Sequence, residues 1–331
     1  MAEQPLYPMT FDPAFKAYIW GGRNLETLGR TLPPETIIAE SWEIAGHEDG
    51  TSTVNNGPYA GQLLTEVHAN LGLDLIGHNN AWAQERHKFP LLVKLLDANR
   101  PLSVQVHPDD DYALAHEGNE LGKTEMWVVL HAEPGAELIL GVTRGTTPEA
   151  FEKAIAENRL EPFLHRIQVK AGDHVCVPAG TLHAIMGGLI IAEIQQNSNT
   201  TYRVYDWGRL DASGHPRPLH IDKAMDVINF DQVETQLLPP KPIETRDGVR
   251  RSLLCSNRYF VTERVAFERG ASFEGECNGN TLEIWGIVNG TAEIESVSLE
   301  AVEFALLPAA MGAFSVHARS DVIALRCYCP G

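Results

Sequence analysis

The chain has 331 residues, of which 44% are apolar and 21% are charged, a composition typical of a soluble globular protein and not of a disordered one. Its net charge of −18 argues against binding to nucleic acid through a general basic surface. The same charge would repel an anionic ligand from the protein as a whole. A site for such a ligand must therefore carry its own lysines and arginines.

No apolar run reaches the roughly 18 residues of a membrane helix, and the N-terminus lacks the basic and then apolar stretches of a signal peptide. The five cysteines are scattered and contain no CxxC pair. We therefore expect a cytoplasmic protein whose cysteines are reduced thiols.

Short runs rich in Val, Ile, Leu, Tyr and Thr, separated by frequent Gly and Pro, predict many short strands and a few helices. In chain order they are a helix over Leu63–Leu71, strands over Pro90–Leu96, Leu102–His107, Met126–Leu130 and Glu137–Gly141, a helix that opens at Thr147-Pro148, strands over His174–Val177, Leu189–Gln195 and Thr201–Tyr205, and a helix over His220–Phe230. This pattern is typical of an antiparallel sandwich or barrel.

The segment Leu237–Pro242 reads LLPPKP, and its three prolines in four residues predict a break in regular structure. Beyond it, further strands are predicted over Tyr259–Phe267, Leu282–Val288, Thr291–Ile294, Phe304–Leu307 and Val322–Tyr328. We expect a catalytic domain over residues 1–237 and a smaller C-terminal β domain, without a metal motif, over residues 243–331.

The most informative segment reads PLSVQVHPDD from Pro101. Side chains alternate along a strand, so Ser103, Gln105 and His107 share one face while the two valines take the other. Polar groups that point into a β core need partners, because an unpaired buried polar group is costly. From this strand alone, a hydrogen-bonded network and a metal site are equally good explanations.

Two further segments favour the metal site. Glu125 opens an apolar strand in GKTEMW, and His183 follows a Pro-x-Gly turn in GDHVCVPAGTLH. With Gln105 and His107 they make a set of nitrogen and oxygen ligands, free of thiolates, that suits zinc. The set leaves room for water or substrate oxygens, as a catalytic site requires.

Basic residues near these segments supply the local positive charge that the acidic chain needs. Lys94 lies in the apolar run PLLVKLLDA, where a lysine requires an anionic partner or a chemical purpose. Arg203 lies between Tyr202 and Val204, where a partly buried guanidinium is able to grip a phosphate or an enediolate. Arg209 is the weaker candidate, because it lies in a predicted loop.

The spacing Gly172-x5-Pro178-x-Gly180-x2-His183 resembles the second metal-binding motif of the cupin superfamily. Several strings together resemble a narrower group, the type I mannose-6-phosphate isomerases in their short bacterial form. These strings are YIWGG from Tyr18, ESWE from Glu40, PLLVKLLDA from Pro90, Pro101–Asp109, Gly122–Trp127, Pro178–His183, and EIQQNS from Glu193 running into TYRVYD from Thr201. They cover roughly residues 15–230, and the C-terminal part carries no motif that we can name.

The resemblance implies a mainly β fold, in which a cupin-type jelly-roll sandwich with inserted helices is followed by a second, smaller β-sandwich. It implies one Zn²⁺ per chain and a small phosphosugar as the partner. The implied zinc ligands are Gln105, His107, Glu125 and His183. The implied catalytic residues are Arg203, Lys94 and Glu193, and the implied substrate-binding residues are Ser103 and Lys123.

The implied reaction is the interconversion of mannose 6-phosphate and fructose 6-phosphate through an enediol. Zinc would polarise the sugar oxygens, and the proton would be carried by Glu193 or by a zinc-bound water. The alternatives are a cupin that acts on another phosphosugar, an epimerase or iron dioxygenase built on the same ligands, and a sugar-binding protein without catalysis. The lysines and the arginine argue against an apolar dioxygenase substrate.

Overall fold

The structure is a computed structural model and describes residues 5–210 and 214–331. Up to residue 210 its strands are β1 (Phe11–Asp12), β2 (Ala14–Lys16), β3 (Glu40–Ile44), β4 (Gly46–His47), β5 (Gly50–Thr51), β6 (Thr53–Val54), β7 (Leu91–Ala98), β8 (Val104–Val106), β9 (Glu125–Ala132), β10 (Glu137–Val142), β11 (Leu164–Gln168), β12 (His174–Val177), β13 (His183–Ile185), β14 (Leu189–Gln196) and β15 (Tyr202–Tyr205). The α-helices are α1 (Leu64–Leu71), α2 (Leu73–Ile76), α3 (Ala81–Glu85), α4 (Asp110–His116), α5 (Pro148–Ala156) and α6 (Ile221–Val227). Short 3₁₀ turns cover Asn24–Leu28, Gly57–Tyr59, His78–Asn80 and Glu161–Phe163.

The rest of the chain is built from strands. They are β16 (Lys241–Arg246), β17 (Val249–Ser256), β18 (Val261–Phe267), β19 (Ser272–Cys277), β20 (Glu283–Asn289), β21 (Ala292–Ile294), β22 (Val297–Leu299), β23 (Phe304–Leu307), β24 (Gly312–Ala318) and β25 (Val322–Tyr328). The mainly β fold class predicted from the sequence is confirmed.

Most of these strands form two pairs of antiparallel sheets, and β1-β6 and β4-β5 form two small two-stranded sheets. The first pair consists of a five-stranded sheet, β11-β10-β13-β8-β15, and a six-stranded sheet, β12-β9-β14-β7-β3-β2. The second pair consists of a six-stranded sheet, β16-β17-β18-β25-β20-β23, and a four-stranded sheet, β19-β24-β21-β22. Met9 also pairs with Leu306, so the start of the chain lies against the second pair. The domain limits 1–237 and 243–331 stay a prediction.

The six-stranded sheet of the first pair is covered on both faces. Its inner face packs Leu96, Trp127 and Ile191 against the five-stranded sheet. Its outer face packs residues such as Val93 into a cluster with α1–α3 and with apolar residues of the second sheet pair, among them Ile284 of β20. Consequently all eight residues of β7 and all eight of β14 are buried.

The predicted helices are present as α1, α5 and α6, although α6 ends at Val227, three residues before the predicted Phe230. Several predicted strands differ in their bounds: the strand predicted from Tyr259 begins at Val261, because Tyr259 and Phe260 donate their N–H groups to Asn257 in a turn. The helix α5 begins with Thr147 as its N-cap, whose hydroxyl accepts the N–H of Ala150. Strand β8 is shorter than predicted. Pro242, placed by the sequence in an irregular break, lies in β16, because β16 is an edge strand and an edge strand tolerates a missing N–H.

Two cysteines correct the prediction that all five thiols are reduced. Cys176 on β12 and Cys255 on β17 form a disulfide, whereas Cys277, Cys327 and Cys329 are free and buried. The pair is separated by 79 residues, and no local pattern shows that β12 and β17 come together. The cytoplasmic location stays a prediction.

No helix of the two described segments combines the length and the apolar character that crossing a membrane demands.

Candidate active site

Two rows of side chains, one on each sheet of the first pair, face each other across the interior. In the six-stranded sheet the register places Glu193 between Lys94 and Trp127. In the five-stranded sheet it places Gln105 between His183 and Arg203. The alternation of side chains along each strand therefore points polar groups into one space and apolar groups away from it.

The rows enclose a pocket of about 290 Å³. All nine residues proposed from the sequence lie in or directly beside it. Seven of them line it: Lys94, Ser103, Gln105, Lys123, Glu125, Glu193 and Arg203. His107 and His183 are buried beside them and are joined to the pocket through Glu125.

Three potential ligand atoms of His107, Glu125 and His183 lie within 4.8 Å of one another. Glu125 Oε1 is 3.3 Å from His107 Nε2, and Glu125 Oε2 is 3.9 Å from His183 Nε2. The buried Nε2 of His183 has no hydrogen-bond partner among the described residues. An orphaned nitrogen beside a carboxylate and a second imidazole is a donor set that fits a divalent metal ion.

Both imidazoles are oriented by the backbone. Nδ1 of His107 is 2.8 Å from the carbonyl oxygen of Thr200, and Nδ1 of His183 is 2.9 Å from that of Thr181. A carbonyl only accepts, so each Nδ1 carries the proton and each Nε2 presents a lone pair to the interior. Trp127 Nε1 donates to Glu125 Oε2 at 3.1 Å. These contacts are the outer partners that hold metal ligands in orientation.

Burial and charge keep the imidazoles neutral. Desolvation and the nearby Lys123 ammonium lower the pKa of His107 to about 3, and desolvation lowers the pKa of His183. Burial alone would raise the pKa of Glu125, but the Lys123 ammonium, 2.5 Å from Glu125 Oε1, holds it well below its usual range. Two neutral imidazoles and an ionised carboxylate are the states in which these groups bind a metal.

Lys94 has the anionic partners that the sequence demanded. Its ammonium lies 3.3 Å from Glu40 and 3.9 Å from Glu193, over the ring of Trp42. Desolvation would lower its pKa, but the carboxylates around it outweigh burial and raise the pKa. Burial and the charge of Glu125 raise the pKa of Glu193 to about 8. Glu193 Oε1 has no hydrogen-bond partner in the described part of the chain.

Two arginines, Arg203 and Arg217, also line the pocket. Arg203 donates from Nε to Ser103 Oγ at 3.3 Å and from Nη1 to the carbonyl of Pro218 at 2.9 Å. Arg217 also lines the pocket and is held by Asp206 through a bidentate pair of 2.8 and 2.5 Å. Burial, and then the charge of Arg217, lowers the pKa of Arg203. Two guanidinium groups close enough to repel each other form a receptor for an anion.

Sequence reasoning missed Arg217 and Glu40. Arg217 lies in HPRPLH, a segment without helical or strand periodicity. Glu40 opens the string ESWE, which contributes to the family resemblance but implies no role for this residue. The usable signal was charge: an acidic chain that binds an anion needs several cations at the site, and a buried lysine needs a carboxylate. Arg209, the weaker candidate, bonds Asp206 and does not line the pocket.

Comparisons with known proteins agree with this arrangement. Residues 9–121 match the family described as phosphomannose isomerase type I, catalytic domain. The chain is 39% identical to the probable mannose-6-phosphate isomerase GmuF of Bacillus subtilis over 319 residues, covering 94% of this chain and 96% of that protein. It belongs to the type I phosphomannose isomerases.

Two further relatives bear on the family and the fold. Mannose-6-phosphate isomerase ManA of B. subtilis is 44% identical over 227 residues, which cover 68% of this chain and 69% of ManA. The crystal structure of the mannose 6-phosphate isomerase from B. subtilis superposes with a TM-score of 0.85 at 34% identity, covering 98% of this chain and 99% of that one. The expected fold, family and enzyme class, an isomerase, are thereby confirmed, and so is the metal dependence of the family.

Proposed function

We propose that the chain interconverts mannose 6-phosphate and fructose 6-phosphate through an enediol, with one Zn²⁺ held by Gln105, His107, Glu125 and His183. The observation that carries the proposal is that the ligand atoms of His107, Glu125 and His183 lie together beside a pocket that is also lined by two arginines. Such a pocket suits a ligand that offers oxygens to a metal ion and also carries an anionic group. A sugar phosphate is such a ligand.

The ligands would hold the ion with neutral imidazole Nε2 atoms and the ionised Glu125 carboxylate. When bound, the ion supplies Lewis-acid stabilisation of the negative charge that develops on the sugar oxygens. Gln105 is the fourth ligand in the proposal because its strand neighbours are His183 and Arg203 and because it lines the pocket.

Glu193 is proposed to move the proton between C2 and C1. Burial of the carboxyl group raises the pKa of Glu193 towards neutral pH, and a group that titrates there can both take up and release a proton, as general acid–base catalysis requires. Lys94, held beside Glu193 and Glu40, keeps positive charge next to that carboxyl group. The other proton carrier considered from the sequence is a zinc-bound water, and the Glu193→Gln variant distinguishes the two.

Arg203 and Arg217 are proposed to hold the phosphate. Two of the five N–H donors of Arg217 are used by Asp206, and within the described residues no hydrogen bond occupies the other three. Ser103 fixes Arg203, and Lys123 adds a third cation near the metal ligands. The charge, together with the polar lining of the pocket, disfavours the iron dioxygenase with an apolar substrate.

The test begins with chelator-stripped protein in a coupled assay for fructose 6-phosphate formed from mannose 6-phosphate. We expect no activity without metal, recovery with Zn²⁺, and no recovery in His183→Ala. His131→Ala is the matched control, because His131 is exposed. Glu193→Gln should retain zinc and lose at least about 100-fold in kcat if it carries the proton.

The outcomes separate the parts of the proposal. A folded, zinc-loaded wild-type protein without activity would refute the substrate assignment, and other phosphosugars would be assayed next. Activity that survives in His183→Ala would refute the ligand set. Near-normal kcat in Glu193→Gln would remove Glu193 as the proton carrier and favour a water molecule in that role.

A further inference from the structure

The turn that joins β17 and β18 reaches from the C-terminal sheets to the start of α4. Tyr259 donates its hydroxyl proton to Asp110 Oδ2 at 2.7 Å, and Arg258 donates to the same oxygen at 2.6 Å. The turn itself is fixed, because Asn257 Oδ1 accepts the N–H groups of Tyr259 and Phe260 and the Phe260 side chain is fully buried. The contact therefore joins two ordered parts of the molecule.

The other oxygen of Asp110 faces the active-site strand. Asp110 Oδ1 accepts the N–H of Gly122 at 2.9 Å and the side-chain amide of Gln196 at 2.8 Å. Gln196 Oε1 in turn accepts the N–H of Thr124 at 2.9 Å. One carboxylate thus links the C-terminal turn to both residues that flank Lys123.

The segment held in this way has little freedom to adjust. A Cβ on Gly122 would come within 2.5 Å of the backbone of Asp109 and Asp110, so this glycine is needed for the close approach of the two backbones. Lys123 N–H donates to the carbonyl of Pro108 at 2.9 Å. Glu125, two residues later, is one of the proposed ligands.

We infer that Tyr259 is a positioning residue for the active site, acting through Asp110 on the Gly122–Glu125 segment. The C-terminal sheets then contribute to the catalytic centre without touching it. They fix the carboxylate that holds the Gly122–Glu125 segment, which carries Lys123 and leads into β9. The consequences for catalysis and for zinc affinity rest on the proposed function, whereas the consequence for backbone order does not.

The test compares Tyr259→Phe, Asp110→Asn and the double variant with the wild type. Tyr328→Phe is the matched control, because it also removes a partly buried tyrosine hydroxyl that bonds a glutamate, Glu263, within the C-terminal sheets. The first measurement is amide hydrogen exchange by mass spectrometry on peptides that cover residues 118–126. We expect exchange there to be about threefold to tenfold faster in Tyr259→Phe, the factor expected for loss of one hydrogen bond, and unchanged in Tyr328→Phe.

The second measurement is Zn²⁺ affinity by competition with a chromophoric chelator. Tyr259→Phe should weaken it by about threefold to tenfold. Asp110→Asn should weaken zinc binding further. Both carboxylate oxygens of Asp110 accept hydrogen bonds, and in asparagine one of them is replaced by an NH₂ group, which cannot accept. The double variant should be no weaker than Asp110→Asn, since the tyrosine acts through the aspartate. In the isomerase assay, kcat/KM should fall in the same order while Tyr328→Phe keeps the wild-type value.

Each outcome decides. Faster exchange at residues 118–126 with weaker zinc binding in Tyr259→Phe supports the inference, even if the wild type proves inactive on mannose 6-phosphate. Unchanged exchange in that peptide overturns it. Faster exchange with wild-type zinc affinity also overturns it, because the contact would then order the segment without serving the site. Additive losses in the double variant would show that Tyr259 does not act through Asp110, and would overturn it as well.

Discussion

Replacing Arg217 with glutamine tests whether the arginines that line the pocket hold the phosphate. The change removes one positive charge and keeps a polar side chain of similar reach. A charge-assisted hydrogen bond contributes about 1.5–3 kcal/mol when its partners are desolvated. The side chain of Arg217 is 22% exposed, so the lower end of that range applies. About 1.4 kcal/mol is a factor of ten, and we expect kcat/KM to fall roughly tenfold, chiefly through KM.

The assay measures KM for mannose 6-phosphate and the inhibition constant of inorganic phosphate, each at low and high salt. Both constants should rise in Arg217→Gln, and the salt dependence should weaken, because one ionic contact has been lost. Arg144→Gln makes the same charge change at an exposed pair with Glu234 and should leave both constants unchanged. If Arg217→Gln keeps wild-type affinity for phosphate, the anion is held elsewhere and Asp206 fixes this arginine for another purpose.

Three further perturbations test other parts of the structure. Lys94→Met should lower the free energy of unfolding by about 3 kcal/mol in urea titrations, because Glu40 loses its buried cationic partner. The double variant Lys94→Met, Glu40→Gln should regain part of this stability. A double variant as unstable as Lys94→Met would contradict the ion pair between Lys94 and Glu40. Burial would raise the pKa of Glu120, but hydrogen bonds with His47 and Lys88 lower it from 4.5 to about 2. The ionised carboxylate therefore contributes stability above pH 4.5 that is lost as the pH falls towards 2. Glu120→Gln should flatten the pH dependence of the free energy of unfolding between these values, and an unchanged slope would refute this. Thr147→Ala should cost about 1 kcal/mol in the same titration through loss of the α5 cap. Thr31→Ala, the same change at an exposed position, should leave the stability unchanged, and an equal loss in both variants would refute the cap assignment.

The sequence was most informative where a local pattern carries the structural information. Alternation along β8 and the residue after it placed Gln105 and His107 toward the interior. The Pro-x-Gly turn placed His183 at the start of β13. Both assignments depend only on neighbours along the chain. The structure brings these residues to one pocket because their strands are adjacent in one sheet.

Contacts between distant segments were beyond the reach of such patterns. The lysine on β7 was correctly expected to need an anion, but its partner Glu40 lies 54 residues earlier, and only the pairing of β3 with β7 brings the two together. The same holds for the Cys176–Cys255 disulfide and for Arg217, which reaches the pocket from a loop. Periodicity predicts the face of the strand on which a side chain lies, whereas the order of strands in the sheet determines which residues it contacts.

The complete burial of β7 and β14 has a consequence for how this enzyme can change over generations. A strand with one solvated face offers positions where substitutions accumulate at little cost, but these two strands have no such face. Their inner side chains form the wall of the pocket, and their outer ones, such as Val93, pack against helices and the second sheet pair. New substrate preferences are therefore expected to arise from the loops that line the pocket, such as those carrying Asn199 and Arg217, while the two central strands accept few substitutions.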